Sequence, residues 1–136
     1  MTVWLADTSV VVPAIVSSHQ QHDSVNRSLG RRVVRLPFHA SLEAYSVLTR
    51  LPGDARLSPT DAALVLRERF GESVLLGELQ TRSLIDEFAR LRIAGGAVYD
   101  ALIAATAKAA GATLLTRDRR AAATYEQLSV TYVFVD

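Results

Sequence analysis

Residues 100–118 read DALIAATAKAAGATLLTRD, and this stretch decides the fold. It predicts a helix over 98–109 that is apolar, and therefore buried, on nearly all sides. Gly111 is well placed to end that helix. Thr113 to Leu115 follow at once as a short apolar strand. A buried helix that leads directly into a buried strand is typical of an α/β protein.

The same alternation of strands and helices runs along the whole chain. Because the strands are short and almost unbroken in apolar sequence, they indicate a parallel sheet that is covered on both faces. Pro13 shortens or bends the first helix, and Gly95-Gly96 separates two later ones. The predicted strands are 2–6, 33–36, 73–76, 113–115 and 131–135; the predicted helices are 8–17, 21–29, 39–50, 61–70, 80–92, 98–109 and 119–127.

Length and composition narrow the class of protein. A chain of 136 residues predicts one domain over residues 1–136. With no cysteine, disulfides, thiolate metal sites and cysteine nucleophiles are excluded. No apolar run reaches the roughly 18 residues of a membrane span, and no signal-peptide pattern opens the chain. We therefore expect a cytoplasmic protein without a membrane partner.

The basic residues are almost all arginine. Of 15 basic residues, 14 are arginine and one is Lys108, within a net charge of +1. Arginine forks suit phosphate contacts. A genome rich in G and C would also favour arginine and alanine, so this feature leaves both explanations open.

Two aspartates follow predicted strands. Asp7 ends the apolar run 3–6, and Asp118 follows the run 113–116. In open parallel sheets the functional crevice lies beyond the carboxyl ends of the strands. The two acids are therefore expected at the same edge, although either one is also explained as a helix cap.

Two further acids interrupt helices that are otherwise apolar. Glu43 falls on the apolar face formed by residues 40, 44, 47, 48 and 51, and Asp100 opens the buried helix 98–109. Each acid also has an explanation without a metal. Glu43 could lie at the margin of its helix face and reach water or Arg50, and Asp100 could be stabilised by the dipole at the start of its helix. Isolated buried carboxylates are costly. Four acids that share one divalent cation would remove that cost, and the combination favours a common metal site.

Four motifs that contain these acids resemble the PIN-domain ribonucleases, most closely the VapC-type toxins of bacterial toxin–antitoxin pairs. The resemblance covers essentially the whole chain. The motifs are Leu5-Ala6-Asp7-Thr8-Ser9, His39-Ala40-Ser41-Leu42-Glu43-Ala44, Tyr99-Asp100-Ala101-Leu102-Ile103-Ala104-Ala105-Thr106-Ala107 and Leu114-Leu115-Thr116-Arg117-Asp118.

This resemblance implies a three-layer α/β/α sandwich around a mainly parallel five-stranded sheet. It also implies that Asp7, Glu43, Asp100 and Asp118 are metal ligands and catalytic residues, and that Thr116 supplies a hydroxyl. An all-oxygen ligand set suits Mg²⁺ or Mn²⁺. Many members carry another acid shortly after the last one, where this chain has residues 119–121, Arg-Arg-Ala. Occupation of a second metal site therefore stays open.

The expected reaction is hydrolysis of an RNA phosphodiester by metal-activated water, which would leave a 5′-phosphate. Glu43 or Asp100 would orient that water or accept its proton. The chain has three histidines, at positions 19, 22 and 39, and none occupies one of the four acidic positions of the motifs. A histidine general base is therefore not expected, and His39 is interpreted as a cap or loop residue.

The resemblance also implies macromolecular partners. Basic side chains must hold RNA beside an acidic pocket, and Arg117, Arg119 and Arg120 are the candidates, although a solvated basic turn explains them equally well. The RNA expected is a tRNA or rRNA loop. A VapB-type antitoxin is expected to cover the site, with exposed apolar residues such as Leu64 and Leu66 lining its groove. A homodimer is expected by analogy.

Other classes fit less well. A receiver domain needs an aspartate after its middle strand and a lysine after its last, but the third strand ends in Leu75-Leu76-Gly77 and the only lysine, Lys108, lies within the helix that Asp100 opens. A haloacid-dehalogenase-type phosphatase needs a second aspartate where Ser9 stands. The remaining alternative is a non-catalytic PIN domain that binds RNA or protein, and metal-dependent cleavage would separate it from an enzyme.

Overall fold

The computed structural model describes residues 2–136. Four strands form one fully parallel sheet in the order β2-β1-β3-β4. A short 3₁₀ turn occupies Gly53–Ala55. The strands are β1 (Val3–Ala6), β2 (Val34–Arg35), β3 (Ala112–Thr116) and β4 (Thr131–Phe134), and the helices are α1 (Thr8–Ile15), α2 (His22–Leu29), α3 (Phe38–Leu48), α4 (Pro59–Phe70), α5 (Glu78–Arg90), α6 (Ala97–Ala109) and α7 (Ala122–Gln127).

The core lies on both faces of the two central strands. Leu5 and Ala6 of β1, and Leu114 and Leu115 of β3, are fully buried. Consecutive residues of a strand point to opposite faces of the sheet. Because both residues of each pair are buried, helices must cover both faces of the sheet. The predicted α/β fold with a parallel sheet is confirmed, and each predicted helix is present within about a turn of its expected bounds.

Helix α6 lies against β3 through small residues. Ala101, Ala104 and Ala107 are fully buried on one face, and this spacing of three residues keeps them on one side of the helix. Gly111 follows with a φ of 65°, a left-handed conformation that suits glycine and turns the chain into β3. The buried helix and strand predicted from residues 100–118 are therefore observed.

The expected fifth strand at residues 73–76 is not formed. Val74 makes only a single parallel bridge with Pro37, in which its N–H donates to Leu36 O at 2.8 Å and its own carbonyl accepts from Phe38 N at 3.0 Å. The pairing stops because α3 begins at Phe38, directly after Pro37. The prediction of five strands was therefore wrong by one.

Across residues 2–136, no helix has both the length and the apolar character that crossing a membrane requires.

Candidate active site at the carboxyl edge of the sheet

A small acidic cavity opens where β1 ends. Its volume is about 110 Å³. All four acids singled out in the sequence line it, and no lysine or arginine does. The lining residues are Asp7, Thr8, Ser9, Glu43, Asp100, Ile103 and Asp118.

The parallel register of β1 and β3 places Asp7. Ala6 pairs with Leu115, and the N–H of Asp7 continues the ladder by donating to Leu115 O at 3.0 Å. The Asp7 side chain also caps α1 by accepting from Ser9 N at 3.0 Å. The two explanations of this residue therefore hold together, because Asp7 caps a helix and lines the cavity.

Asp7 is also the most buried of the four acids. Its side chain is held from behind by Tyr125, whose hydroxyl donates to Oδ2 at 2.7 Å. Burial raises the pKa of Asp7, and hydrogen bonds from Ser9, Thr116 and Tyr125 oppose that rise. Burial, together with the Asp7 charge, raises the pKa of Tyr125 far above its ordinary value. Tyr125 therefore stays a hydrogen-bond donor.

Asp100 reaches the cavity from the first turn of α6. Partial burial raises the pKa of this carboxyl, and the negative charges of Asp118, Asp7 and Glu43 raise it further. All four acids therefore lie within electrostatic reach of each other. Without a cation they repel, and protonation of Asp100 relieves part of that repulsion.

Glu43 lies at the margin of the buried face of α3. Ala40, Ala44 and Leu48 of that face are fully buried, whereas the Glu43 side chain is 42% exposed. Its Oε1 accepts from Thr8 Oγ1 at 3.0 Å and lies 3.5 Å from His39 Nε2. The carboxylate is therefore partnered by a hydroxyl and an imidazole, and Arg50 is not its partner.

Thr116 positions other residues instead of lining the cavity. It is fully buried at the end of β3, and its Oγ1 accepts from Asp118 N at 3.0 Å. Ser9 Oγ lies 3.4 Å from that oxygen and accepts from Arg117 N at 2.7 Å. The two hydroxyls thus fix the turn that carries Asp118.

The three candidate phosphate-binding arginines differ in their surroundings. Arg120 is 94% exposed, with Nε 3.6 Å from Asp118 Oδ1. The guanidinium of Arg119 lies 4.2 Å from the ring centre of Phe134 and is also exposed. Arg117 is half-buried, and its Nε has no hydrogen-bond partner. Arg119 and Arg120 are therefore the two that face solvent beside the acids.

The donor atoms of the cavity suit a hard cation. They are carboxylate and hydroxyl oxygens, which Mg²⁺ and Mn²⁺ prefer. Asp7 Oδ1 accepts from both the main-chain N–H and the hydroxyl of Ser9, whereas Oδ2 accepts only from Tyr125 and keeps a lone pair for a cation. Within residues 2–136, however, no three acidic or histidine side chains converge closely enough to make a complete metal site. The acids are thus spaced around the wall of the cavity.

Thr8, Ser9, Tyr125 and His39 contribute to the site but were not among the predicted site residues. Ser9 stands two residues after Asp7, a spacing typical of a side-chain turn. Tyr125 shares a buried helical face with Ala121 and Leu128, and a buried tyrosine hydroxyl usually needs a partner. His39 lies inside the first turn of α3 and stacks on Tyr99, so its interpretation as a cap or loop residue was wrong.

Comparison with known proteins identifies the family of this chain. The model of the PIN domain family matches residues 5–127. The chain therefore belongs to the PIN domain family and, within it, to the VapC-type ribonucleases. It is 48% identical to Ribonuclease VapC27 of Mycobacterium tuberculosis strain H37Rv, over 91% of this chain and 90% of the relative. It is 46% identical to Ribonuclease VapC40 of strain CDC 1551, over 91% and 92%.

Two solved structures share the fold. VapBC2 from Rickettsia felis, bound to a DNA fragment from its promoter, matches with a TM-score of 0.69 and 16% identity over 99% of this chain and 100% of that chain. FitAB, bound to a DNA fragment, matches with a TM-score of 0.64 and 20% identity over 96% and 94%. At these identities the likeness concerns the fold alone.

Proposed function

We propose that this chain is a metal-dependent endoribonuclease toxin that hydrolyses phosphodiesters in tRNA or rRNA loops and is inhibited by a VapB-type antitoxin. The observation that carries the proposal is the cavity lined by Asp7, Glu43, Asp100 and Asp118 without any basic side chain. Membership of the VapC-type ribonucleases supports RNA as the substrate. We expect residues 1–136 to act as one domain in the cytoplasm.

The metal would be held chiefly by Asp7, Asp100 and Asp118, with Glu43 at the side. Mg²⁺ or Mn²⁺ would supply positive charge that polarises the phosphate and acidifies water. The raised pKa of Asp100 supports this assignment, because the repulsion among the four acids is what a divalent cation would neutralise. Arg119 and Arg120 lie outside that ligand set.

The protein side chains have distinct tasks in this proposal. Asp7 is rigid because Ser9 and Tyr125 bind its two oxygens. Glu43 is partly exposed and fixed through one oxygen by Thr8, so its other oxygen is free to orient the attacking water or accept its proton. Asp118 is held through its backbone by Thr116. Water attack would leave a 5′-phosphate and a 3′-hydroxyl.

RNA must approach this cavity against the repulsion of its acids. Arg119 and Arg120 are exposed next to Asp118 and are proposed to contact backbone phosphates. Arg117 is the weakest of the three candidates because it is half-buried. A single-stranded loop fits best, because it can bend its backbone into a small opening.

The antitoxin is proposed to bind beside the cavity on α3 and α4. A groove of about 370 Å³ runs there and includes Phe38, Ala63 and Leu66 in its lining. Leu64, the other expected residue, is exposed on α4 but does not line this groove. The VapBC2 and FitAB structures support a two-protein system, since each is a complex bound to DNA. The homodimer stays a prediction.

The test is cleavage of total cellular RNA by purified protein with Mg²⁺ or Mn²⁺. Discrete fragments with 5′-phosphates are expected from the wild type. They should vanish with EDTA and with Asp100→Asn, and persist with Asp86→Asn, which changes an exposed acid on α5. A folded wild type that binds Mn²⁺ but cuts no RNA would favour the non-catalytic binding module.

A second measurement does not depend on activity. Bound metal should raise the melting temperature of the wild type, and this increase should be lost in Asp7→Asn. An equal increase in both proteins would mean that the metal binds elsewhere.

A further inference from the structure

Two aromatic rings stack beside the acidic cavity. The rings of His39 and Tyr99 are almost parallel, with an interplanar angle of 6° and centroids 5.1 Å apart. His39 lies in the first turn of α3 and Tyr99 in the first turn of α6. The pair therefore joins the two helices that carry Glu43 and Asp100.

This pair is close to the acids in space as well as in sequence. His39 Nε2 is 3.5 Å from Glu43 Oε1, and Tyr99 directly precedes Asp100. The imidazole is thus fixed by a carboxylate on one edge and by a phenol ring on one face. The pair therefore lies next to Glu43 and Asp100, two of the residues that line the cavity.

Tyr99 remains open to solvent despite the stack. It is 56% exposed although His39 covers one ring face. The chain reaches it through Gly95 and Gly96, and a side-chain carbon at either glycine would meet nothing within 4 Å. Tyr99 therefore keeps a large exposed surface directly before Asp100, which lines the cavity.

We propose that Tyr99, backed by His39, is a stacking platform for a nucleobase of single-stranded RNA adjacent to the phosphate that is hydrolysed. This inference rests on the proposed ribonuclease function. Carboxylates around the cavity repel the RNA backbone, whereas contact between a base and an aromatic ring carries no such penalty. The platform would supply affinity where phosphate contacts are weakest.

The parallel geometry of the pair suits a base as a third layer. Two other aromatic pairs, Tyr125–Tyr132 and Tyr132–Phe134, are tilted by 60° and 82° and do not offer this geometry. Stacked bases lie parallel to an aromatic ring. The His39–Tyr99 pair already has the orientation that a base would continue.

The test uses an RNA that the wild type itself selects. Sequencing the fragment ends from total RNA gives a cut site, and a synthetic single-stranded RNA spanning it becomes the substrate. A second set of RNAs carries one abasic nucleotide at successive positions near the cut, which removes a base but keeps its phosphate. Each RNA is assayed with wild type, Tyr99→Phe, Tyr99→Leu and Ile85→Ala, an exposed apolar residue of α5.

Tyr99→Leu is expected to lower kcat/KM roughly ten- to a hundredfold, mainly through KM. Tyr99→Phe keeps the ring and should stay within about threefold of the wild type, as should Ile85→Ala. For the wild type, an abasic nucleotide at one position of the RNA should lower kcat/KM to a similar degree. The same abasic RNA should cause no further loss of kcat/KM in Tyr99→Leu. Such coupling identifies the base that lies on Tyr99.

Three results would overturn the platform while leaving a ribonuclease in place. In the first, every abasic position lowers cleavage by the same factor in Tyr99→Leu as in the wild type. In the second, Tyr99→Leu cleaves RNA like the wild type and loses only antitoxin binding. In the third, the melting temperature of Tyr99→Leu falls far enough to account for the lost activity. The last result would mean that the pair merely joins α3 to α6. A wild type that cuts no RNA would instead reject the proposed function, and the platform with it.

Discussion

The hydroxyl of Tyr125 donates to Oδ2 of Asp7 at 2.7 Å, across 118 positions of sequence. The other oxygen, Oδ1, accepts from the main-chain N–H of Ser9 at 3.0 Å. The most buried acid of the cavity, 4% exposed, is therefore fixed by one neighbour in α1 and one in α7. The orientation of this carboxylate depends on both ends of the fold.

Replacement of Tyr125 by phenylalanine should weaken the protein and its site together. Tyr125→Phe keeps the ring but leaves Oδ2 of a buried carboxylate without its donor. We expect the free energy of unfolding, measured in urea, to fall by about 1–3 kcal/mol. We also expect cleavage to fall by roughly tenfold or more, because Asp7 is no longer held in one orientation.

Tyr132 offers a matched control for that change. Its hydroxyl also donates to a carboxylate, Glu126 Oε1 at 2.8 Å, but at an exposed position. Tyr132→Phe should change stability by roughly 0.5 kcal/mol or less and leave cleavage intact. Equal effects of the two substitutions would show that the buried hydroxyl has no special role at Asp7.

Asp100→Asn should stabilise the metal-free protein at neutral pH. The folded-state pKa of Asp100 is raised above its ordinary value of 3.8, so the folded protein retains a proton that the unfolded chain has already released. The wild type therefore loses stability as pH rises from 3.8 through the raised pKa. Asparagine does not ionise and escapes this loss.

The measurement is melting temperature against pH in EDTA. The advantage of Asp100→Asn should be largest near neutrality and should shrink as pH falls toward the ordinary aspartate pKa. Asp86→Asn, on the exposed side of α5, should show no comparable trend. An advantage that grows at acid pH would contradict the sign of the shift.

Thr116→Val should displace Asp118 without changing the volume of the core. Thr116 is fully buried and its Oγ1 accepts the N–H of Asp118, so valine leaves that partly buried donor without its acceptor. We expect a loss of about 1–2 kcal/mol in the free energy of unfolding, together with weaker cleavage. Thr116→Ser retains the hydroxyl and should recover most of the activity. If Thr116→Ser does not recover activity, the methyl group of Thr116 matters more than its hydroxyl.

Arg120→Ala should weaken RNA binding in a salt-dependent way. Arg120 is almost fully exposed beside Asp118, and loss of one phosphate contact lowers the slope of log affinity against log salt by about one. Arg119→Ala should act similarly but should also loosen the packing on Phe134. The control is Arg90→Ala on α5. An unchanged slope in Arg120→Ala would indicate a merely solvated turn.

The sequence predicts those features that periodicity and strand ends determine. Asp7 and Asp118 were expected at one edge because parallel strands end together, and both line the cavity. Glu43 and Asp100 were expected there because each interrupts an apolar helix, and both do line it. The roles of these acids in metal binding and catalysis stay predictions.

Features that depend on three-dimensional packing were not predictable in the same way. Residues 73–76 have the composition of a strand, but whether they pair depends on how far the segment after β2 stays extended before α3 begins at Phe38. The partnership of Tyr125 with Asp7 depends on how α7 packs. The stack of His39 on Tyr99 depends on the distance between α3 and α6, which no local pattern encodes.

The pairing of β1 with β3 also determines when the site can exist during synthesis. Leu5 pairs with Leu114, so the central pair of the sheet joins segments that a ribosome makes near the beginning and near the end of this chain. Asp7 and Glu43 emerge well before Asp100 and Asp118. We expect a growing chain to lack the acidic cavity until β3 has emerged, which would keep a nascent ribonuclease inactive beside the ribosome that makes it.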